Sequence, residues 1–196
     1  SDMFFGGGSQ TWMAEAIAHM ETHPEVLLSA PLPGPPTADG RLRSQQAEPE
    51  PGPARAFRFD TMSTRLFLLD RRRFRSTIGA LRPHRPPAWR NTIKALVEGN
   101  PPQDLPEHLF TEEMRARGLV RREFLGTAPG MWSLHPPYRS EDFYRRLPEL
   151  VLRVEAGDMP EAQTGDHDVN ASLVDWSEAL AALANNRWWK RRLQRR

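Results

Sequence analysis

Three stretches carry side chains able to hold a metal ion. Asp2 stands in Ser1-Asp2-Met3-Phe4-Phe5-Gly6-Gly7-Gly8-Ser9-Gln10-Thr11-Trp12, a carboxylate just before two aromatics and a glycine run. A carboxylate is a hard oxygen donor suited to Mg2+ or Mn2+, ions that also take diphosphate oxygens. The glycines allow backbone to approach a ligand closely, but no Gly-Lys-Ser/Thr follows, which excludes a nucleotide P-loop. His135 closes the apolar run Met131-Trp132-Ser133-Leu134 and precedes Pro136-Pro137. That puts an imidazole, a common ligand of manganese-like ions, at a rigid strand end. A histidine there can equally do no more than bond to backbone. Gly165-Asp166-His167-Asp168 also spaces metal-capable side chains tightly, although turn and cap chemistry explains it more simply.

The elements that must carry these residues follow from apolar spacing. Ser9 is read as an N-cap, with Trp12, Met13, Ala16, Ile17 and Met20 on one helical face and His23-Pro24 as the stop. Val26-Leu27-Leu28-Ser29-Ala30 reads as a short buried strand. Residues 31–53 hold seven prolines, three glycines and almost nothing apolar, so a loop covering 31–56 is expected. One or two strands are expected between Phe57 and Asp70, then a helix or turn from Arg71. Short helices follow at Trp89 to Glu98 and at Glu107 to Arg117, the second stopped by Gly118. Leu119 to Leu125 reads as a strand paired with Met131 to His135 across a turn at Gly126 to Gly130. A helix starts at Ser140-Glu141-Asp142, Pro148 starts a second piece, and Gly157 ends it. Ser172-Leu173-Val174-Asp175 fits a capping box opening a last helix to about Asn185.

Bulk properties narrow the classes. A chain of 196 residues can hold one domain with a proper core, and residues 1–186 are read as that domain. The 19 prolines limit long regular elements. With no cysteine there are neither disulfides nor thiolate metal sites, and a reducing cytoplasm is the expected compartment. No apolar run reaches membrane-spanning length. The formal net charge of +2 hides an asymmetry. Residues 187–196 contain six basic residues and no acid, leaving 21 basic against 25 acidic residues, a net of −4, for the rest. A body of that sign makes a poor nucleic-acid platform. The tail Trp188-Trp189-Lys190-Arg191-Arg192 suits the interface of an anionic membrane, or is a solvated, frayed terminus.

The segment Ser1 to Trp12, with a helix and a strand after it, resembles the region following the DXD motif of GT-A glycosyltransferases of the family-2-like group. The strand ending Trp132-Ser133-Leu134-His135-Pro136 is similar to the late strand that gives a histidine to the same metal in many GT-A enzymes. The resemblance implies an α/β fold, a mixed sheet with flanking helices, matching the acceptor-side half of such an enzyme. Asp2 would be the second aspartate of the motif, and the first would precede Ser1. The nucleotide-holding Rossmann-like half would also lie upstream, so this portion would be inactive alone.

The resemblance further implies sugar transfer from a nucleotide-sugar donor to a glycan or lipid-linked hydroxyl acceptor. Asp2 and His135 would hold Mn2+ or Mg2+, and Asp2 would also face the nucleotide. The carboxylate that takes the acceptor proton would come from a helix bordering the cleft. Glu107, Glu112 and Glu113 occupy that stretch, with the neighbours Glu112 and Glu113 ranked first and Asp60 as a further candidate for an acceptor hydroxyl. The implied location is the cytoplasm, at the inner face of the membrane where the tail engages it. The competing reading is a non-enzymatic interaction module whose contact surfaces are the proline-rich loop and the basic tail.

Overall fold

The structure, a computed structural model, describes residues 3–39, 41–43, 47–52, 55–83, 89, 92–93, 105–136 and 141–178. In chain order the elements are β1 (Phe4–Gly6), α1 (Trp12–Thr22), β2 (Val26–Pro33), β3 (Glu48–Pro49), β4 (Ala56–Phe59), β5 (Leu68–Leu69) and α2 (Arg71–Thr77). Then come α3 (Pro106–Ala116), β6 (Val120–Phe124), β7 (Trp132–Leu134), α4 (Glu141–Glu155) and a 3-10 turn, Glu161–Gln163. The fold is α/β, as expected, with one mixed sheet in the order β1-β7-β2-β6-β4-β3 and β5 attached to β2. Among the described residues, no helix is long and apolar enough to cross a membrane.

The organising strand is β2, buried along its whole length. Parallel to it, β6 pairs from Val26↔Val120 to Pro31↔Phe124, and β7 takes up the next residues, Leu32 and Pro33. Both run with β2 and therefore with each other. This overturns the expected pairing of the 119–125 strand with the 131–135 strand across a turn, because a hairpin needs antiparallel neighbours. The outer partners are antiparallel, β1 on β7 and β4 on β6.

The proline-rich segment is also more ordered than its composition suggests. Its first residues complete β2, and Pro31 to Pro35 are buried. The prolines fit because the donors to the neighbouring β7 segment are Leu32, to the Met131 carbonyl, and Gly34, to that of Ser133. Pro31 and Pro33 occupy the alternate positions, so their missing N–H groups cost no bond on that side. Farther on, β3 returns to the sheet and pairs with β4 through Glu48↔Arg58 and Pro49↔Phe57.

Other boundaries move for local reasons. The first helix starts at Trp12 with Thr11 as N-cap, while the Ser9 hydroxyl accepts from the Thr11 N–H. Glu15, one turn in, is held below the usual carboxylate range, chiefly by the Thr11 hydroxyl. Pro148 lies inside α4 instead of starting a second piece. Phe143 and Leu150, buried on either side of it, hold the helix to the core. Residues 171–173 form a turn, so Ser172 opens no helix, and Leu173, Val174 and Trp176 go into the core. Asp175 accepts from the Ser177 N–H at 2.9 Å, and the rest of the expected helix lies outside the described residues. Most of the expected 89–98 helix and the whole basic tail lie outside the described residues.

Candidate functional site

His135 leaves β7 at the carboxyl end of a parallel strand, the side of an α/β sheet where ligands gather. Its backbone is held twice, N–H to the His167 carbonyl and carbonyl from the Val169 N–H, each at 2.9 Å. The result is a parallel bridge between His135 and Asp168. The ring follows, with Nδ1 3.0 Å from Asp168 Oδ1. An ionised carboxylate only accepts, so Nδ1 is the donor in this contact.

Beside it, Arg65 Nη1 lies 3.0 Å from His167 Nε2. A guanidinium only donates, which makes His167 Nε2 the acceptor and puts that ring's proton on Nδ1. Arg65 Nη2 is also 3.7 Å from Asp168 Oδ1. The two imidazoles stand 6.2 Å apart, centroid to centroid.

The 163–170 segment is braced from inside. Fully buried Gln163 donates through Nε2 to the carbonyls of Asp166 (3.2 Å) and Asp168 (3.1 Å). Its Oε1 accepts from the Asn170 N–H at 2.8 Å. Asn170 Nδ2 in turn reaches Asp166 Oδ2 at 2.9 Å. Gly34, with φ of +92°, lies so close beneath that a Cβ there would fall 2.2 Å from the Asp166 carbonyl oxygen.

Arg65 also lines a cleft of about 330 Å3 formed with Phe59, Thr61, Met62, Ser63, Glu107 and Arg121. Glu107 is in the first turn of α3, and its Oε1 accepts from the Thr64 N–H at 3.2 Å. Thr111 ties the same loop down by accepting from the Met62 N–H at 2.9 Å. On the sheet side, Arg121 donates to the Thr61 carbonyl at 2.7 Å and lies over the Phe59 ring. Arg121 and Glu123 alternate onto one face of β6 and form a buried ion pair, Nε to Oε1 at 2.9 Å. Burial raises the Glu123 carboxyl above its ordinary value against the pull of Arg121 and Arg65. Burial also lowers the Arg121 guanidinium, which nevertheless stays charged because an arginine starts so high. Arg65 thus lines the cleft and also contacts His167.

The residues singled out from the sequence fall unevenly around it. His135 is in the site, and so is the Gly165 to Asp168 cluster, where the turn does more than cap itself. Asp2 lies outside the described residues. Glu112 is exposed and Glu113 pairs with Arg117 one turn on. Neither lines the cleft, whereas Glu107 does. Asp60 is exposed and gripped by Arg115 at 2.8 and 3.3 Å, a hydrogen-bonded pairing that holds its carboxyl below the usual range. Sequence reasoning passed over Arg65, Arg121 and Glu123. The available signal was Arg121-Arg122-Glu123, three charges inside a strand that ends in a phenylalanine. Among the described residues, no three His, Cys, Asp or Glu side chains gather closely enough to hold a metal alone. Comparison with protein-family models, curated proteins and solved structures gives no match.

Proposed function

We propose that this chain is the acceptor-side portion of a metal-dependent GT-A-type glycosyltransferase, moving a sugar from a nucleotide-sugar to a hydroxyl acceptor. One observation carries the reading. The strand that follows Asp2-Met3 in the sequence, β1, pairs with β7 so that Phe4 is opposite Leu134, the neighbour of His135. Two segments more than a hundred residues apart, each suspected of supplying a metal ligand, thus belong to adjacent strands.

The donor chemistry fits a divalent ion. A metal-binding histidine characteristically gives its other ring N–H to a carboxylate, and His135 does so to Asp168. His135 Nε2 and the Asp2 carboxylate are the proposed ligands. A bound Mn2+ or Mg2+ would supply charge neutralisation for a departing diphosphate.

The remaining chemistry belongs to the cleft. Glu107 is the proposed base for the acceptor hydroxyl, in place of Glu112 and Glu113, because it is the carboxylate of α3 that borders the cleft. Phe59 offers an apolar wall, and Arg65 links the acceptor space to the histidines. In the interaction-module alternative the contact loop would begin beyond Pro31 to Pro35, which are buried. The test is Mn2+ binding with and without UDP to the wild type, Asp2→Ala and His135→Ala. Nucleotide-dependent binding that both substitutions abolish is expected, and wild-type-like binding in both removes these ligands.

A further inference from the structure

We infer that the outer face of α2 and the turn after it form a docking surface for anionic lipid headgroups, with Arg71, Arg72, Arg75 and Arg82 as its contacts. Nothing in this depends on the metal or on sugar transfer.

Positive charge is segregated along the chain. Between Asp70 and Glu98 stand seven arginines and one lysine, with no acid among them. Subtracting these eight and the tail's six from the 27 basic residues leaves 13 against 25 acidic ones. The run is therefore a basic island on an acidic body.

The fold divides the arginines of the island by role. Arg73 turns inward, its guanidinium donating to the carbonyls of Met20 and His23 and so pinning α2 to the end of α1. Phe74 and Ile78 also pack inward, Phe74 against Phe110 with ring centroids 5.3 Å apart. Arg71, Arg72 and Arg75 are left on the exposed side. Arg75 is four residues from Arg71 and three from Arg72, the spacings that make neighbours on a helix surface, and like charges so placed destabilise it. Exposed Arg82 follows the Gly79 turn beside Leu81, which joins Phe74 and Ile78 against the same cluster. Among the described residues, none of these four guanidiniums meets a carboxylate. The nearby acids are committed elsewhere. Asp70 accepts from the Arg72 and Arg73 N–H groups as the N-cap of α2, and Glu113 pairs with Arg117. Arg117 adds to the patch, donating to the Thr77 carbonyl at the end of α2 at 2.7 Å. A face of like charge without counterions of its own is complementary to an anion outside the protein.

A bilayer fits that anion better than a nucleic acid. The same run carries Trp89 and Ile93, 67% and 54% exposed, and arginine with exposed tryptophan suits the headgroup level of a membrane. A nucleic acid needs a basic surface that follows many phosphates, whereas the acidic body surrounds this patch. A bilayer meets only the face turned towards it, and acids more than a Debye length away, about 10 Å at 0.1 M salt, are screened.

The experiment is cosedimentation of the whole chain with vesicles of phosphatidylcholine alone and of equal parts phosphatidylcholine and phosphatidylserine. It compares wild type with the combined Arg71→Gln, Arg72→Gln, Arg75→Gln and Arg82→Gln variant. Both are also made with Lys190, Arg191 and Arg192 changed to Gln, so that the tail does not mask the face. Wild type should bind only the phosphatidylserine vesicles, and more weakly as salt rises. The four-arginine variant should lose roughly fivefold per arginine, about 100- to 1000-fold in all, with or without the tail charges. Its urea midpoint should equal or exceed that of wild type, because like-charge neighbours have gone.

A wild type indifferent to phosphatidylserine, or a four-arginine variant that binds like wild type, overturns the inference. So does complete loss of binding when only the tail charges are removed. Polyuridylate bound more tightly than vesicles through the same four arginines would also overturn it, and would assign the face to nucleic acid.

Discussion

Replacing Glu50 should cost more stability than any other single surface-adjacent charge, because two arginines converge on it. Its Oε1 accepts from Arg58 Nε and its Oε2 from Arg122 Nε, both at 2.7 Å. The carboxylate is 9% exposed and Arg122 7%, whereas Arg58 is 35% exposed and has a second partner in Glu25. The exposed leg is screened and contributes below ~1 kcal/mol. The buried leg differs, since removing one partner strands a charge at a cost of about 3–5 kcal/mol. Glu50→Ala should therefore lose roughly 3–5 kcal/mol by urea unfolding followed through tryptophan fluorescence, with an unchanged slope. The double variant Glu50→Leu with Arg122→Met should recover most of that, because a buried pair replaced by apolar groups is close to neutral. Burial alone would raise the Glu50 carboxyl, but the hydrogen bonds from Arg122 and Arg58 outweigh it and leave it below its ordinary 4.5. A depressed folded-state value gives stability that is present above 4.5 and lost as pH falls through the folded value. The cost of Glu50→Ala should thus shrink in acid. A single substitution costing under ~1 kcal/mol at neutral pH, or a double variant as damaged as the single, would refute the reasoning.

In an assay of the proposed sugar transfer, Glu107→Gln should lower turnover by about 10²–10⁴, while Glu112→Gln and Glu113→Gln stay near wild type. Gly34→Ala should push the 165–168 turn away from β2, costing on the order of 1–3 kcal/mol in urea unfolding and moving the imidazole NMR signals of His135. Glu123 has the opposite pH sign from Glu50. Its folded-state value is raised, so wild-type stability should fall as pH climbs from its ordinary 4.5 through the folded value. Glu123→Gln should flatten that part of the stability profile, and an equally steep variant would contradict the assignment.

Local patterns carried the elements whose evidence is local. The apolar stripe of α1, the start of β2, the Pro106 to Ala116 helix with its Gly118 stop, and the 120–124 strand are all readable from spacing. Partners were not readable, because β2 joins β6 and β7 in parallel over about a hundred residues, and nothing near Gly126 to Gly130 announces that. Proline content misled at Pro31 and Pro33, where the rings cost no bond on the β7 side because the alternate N–H groups of Leu32 and Gly34 do that pairing. Pro148 misled likewise, since the core contacts of Phe143 and Leu150 override a helix breaker. In the site, His135 was legible because prolines and an apolar run frame it. Arg65 and Arg121 were not, because a cation in a sequence looks solvated until the fold surrounds it. Asp168 was visible only as a turn residue, and its meaning depends on where His135 lies.

The most direct measurement is electron spin-echo modulation of Mn2+ bound to the protein in the presence of UDP, which detects an imidazole nitrogen coordinated to the ion. The account predicts one coupled nitrogen in the wild type that disappears in His135→Ala. A nitrogen signal that persists in that variant, or a tightly bound ion with no nitrogen in the wild type, would contradict it.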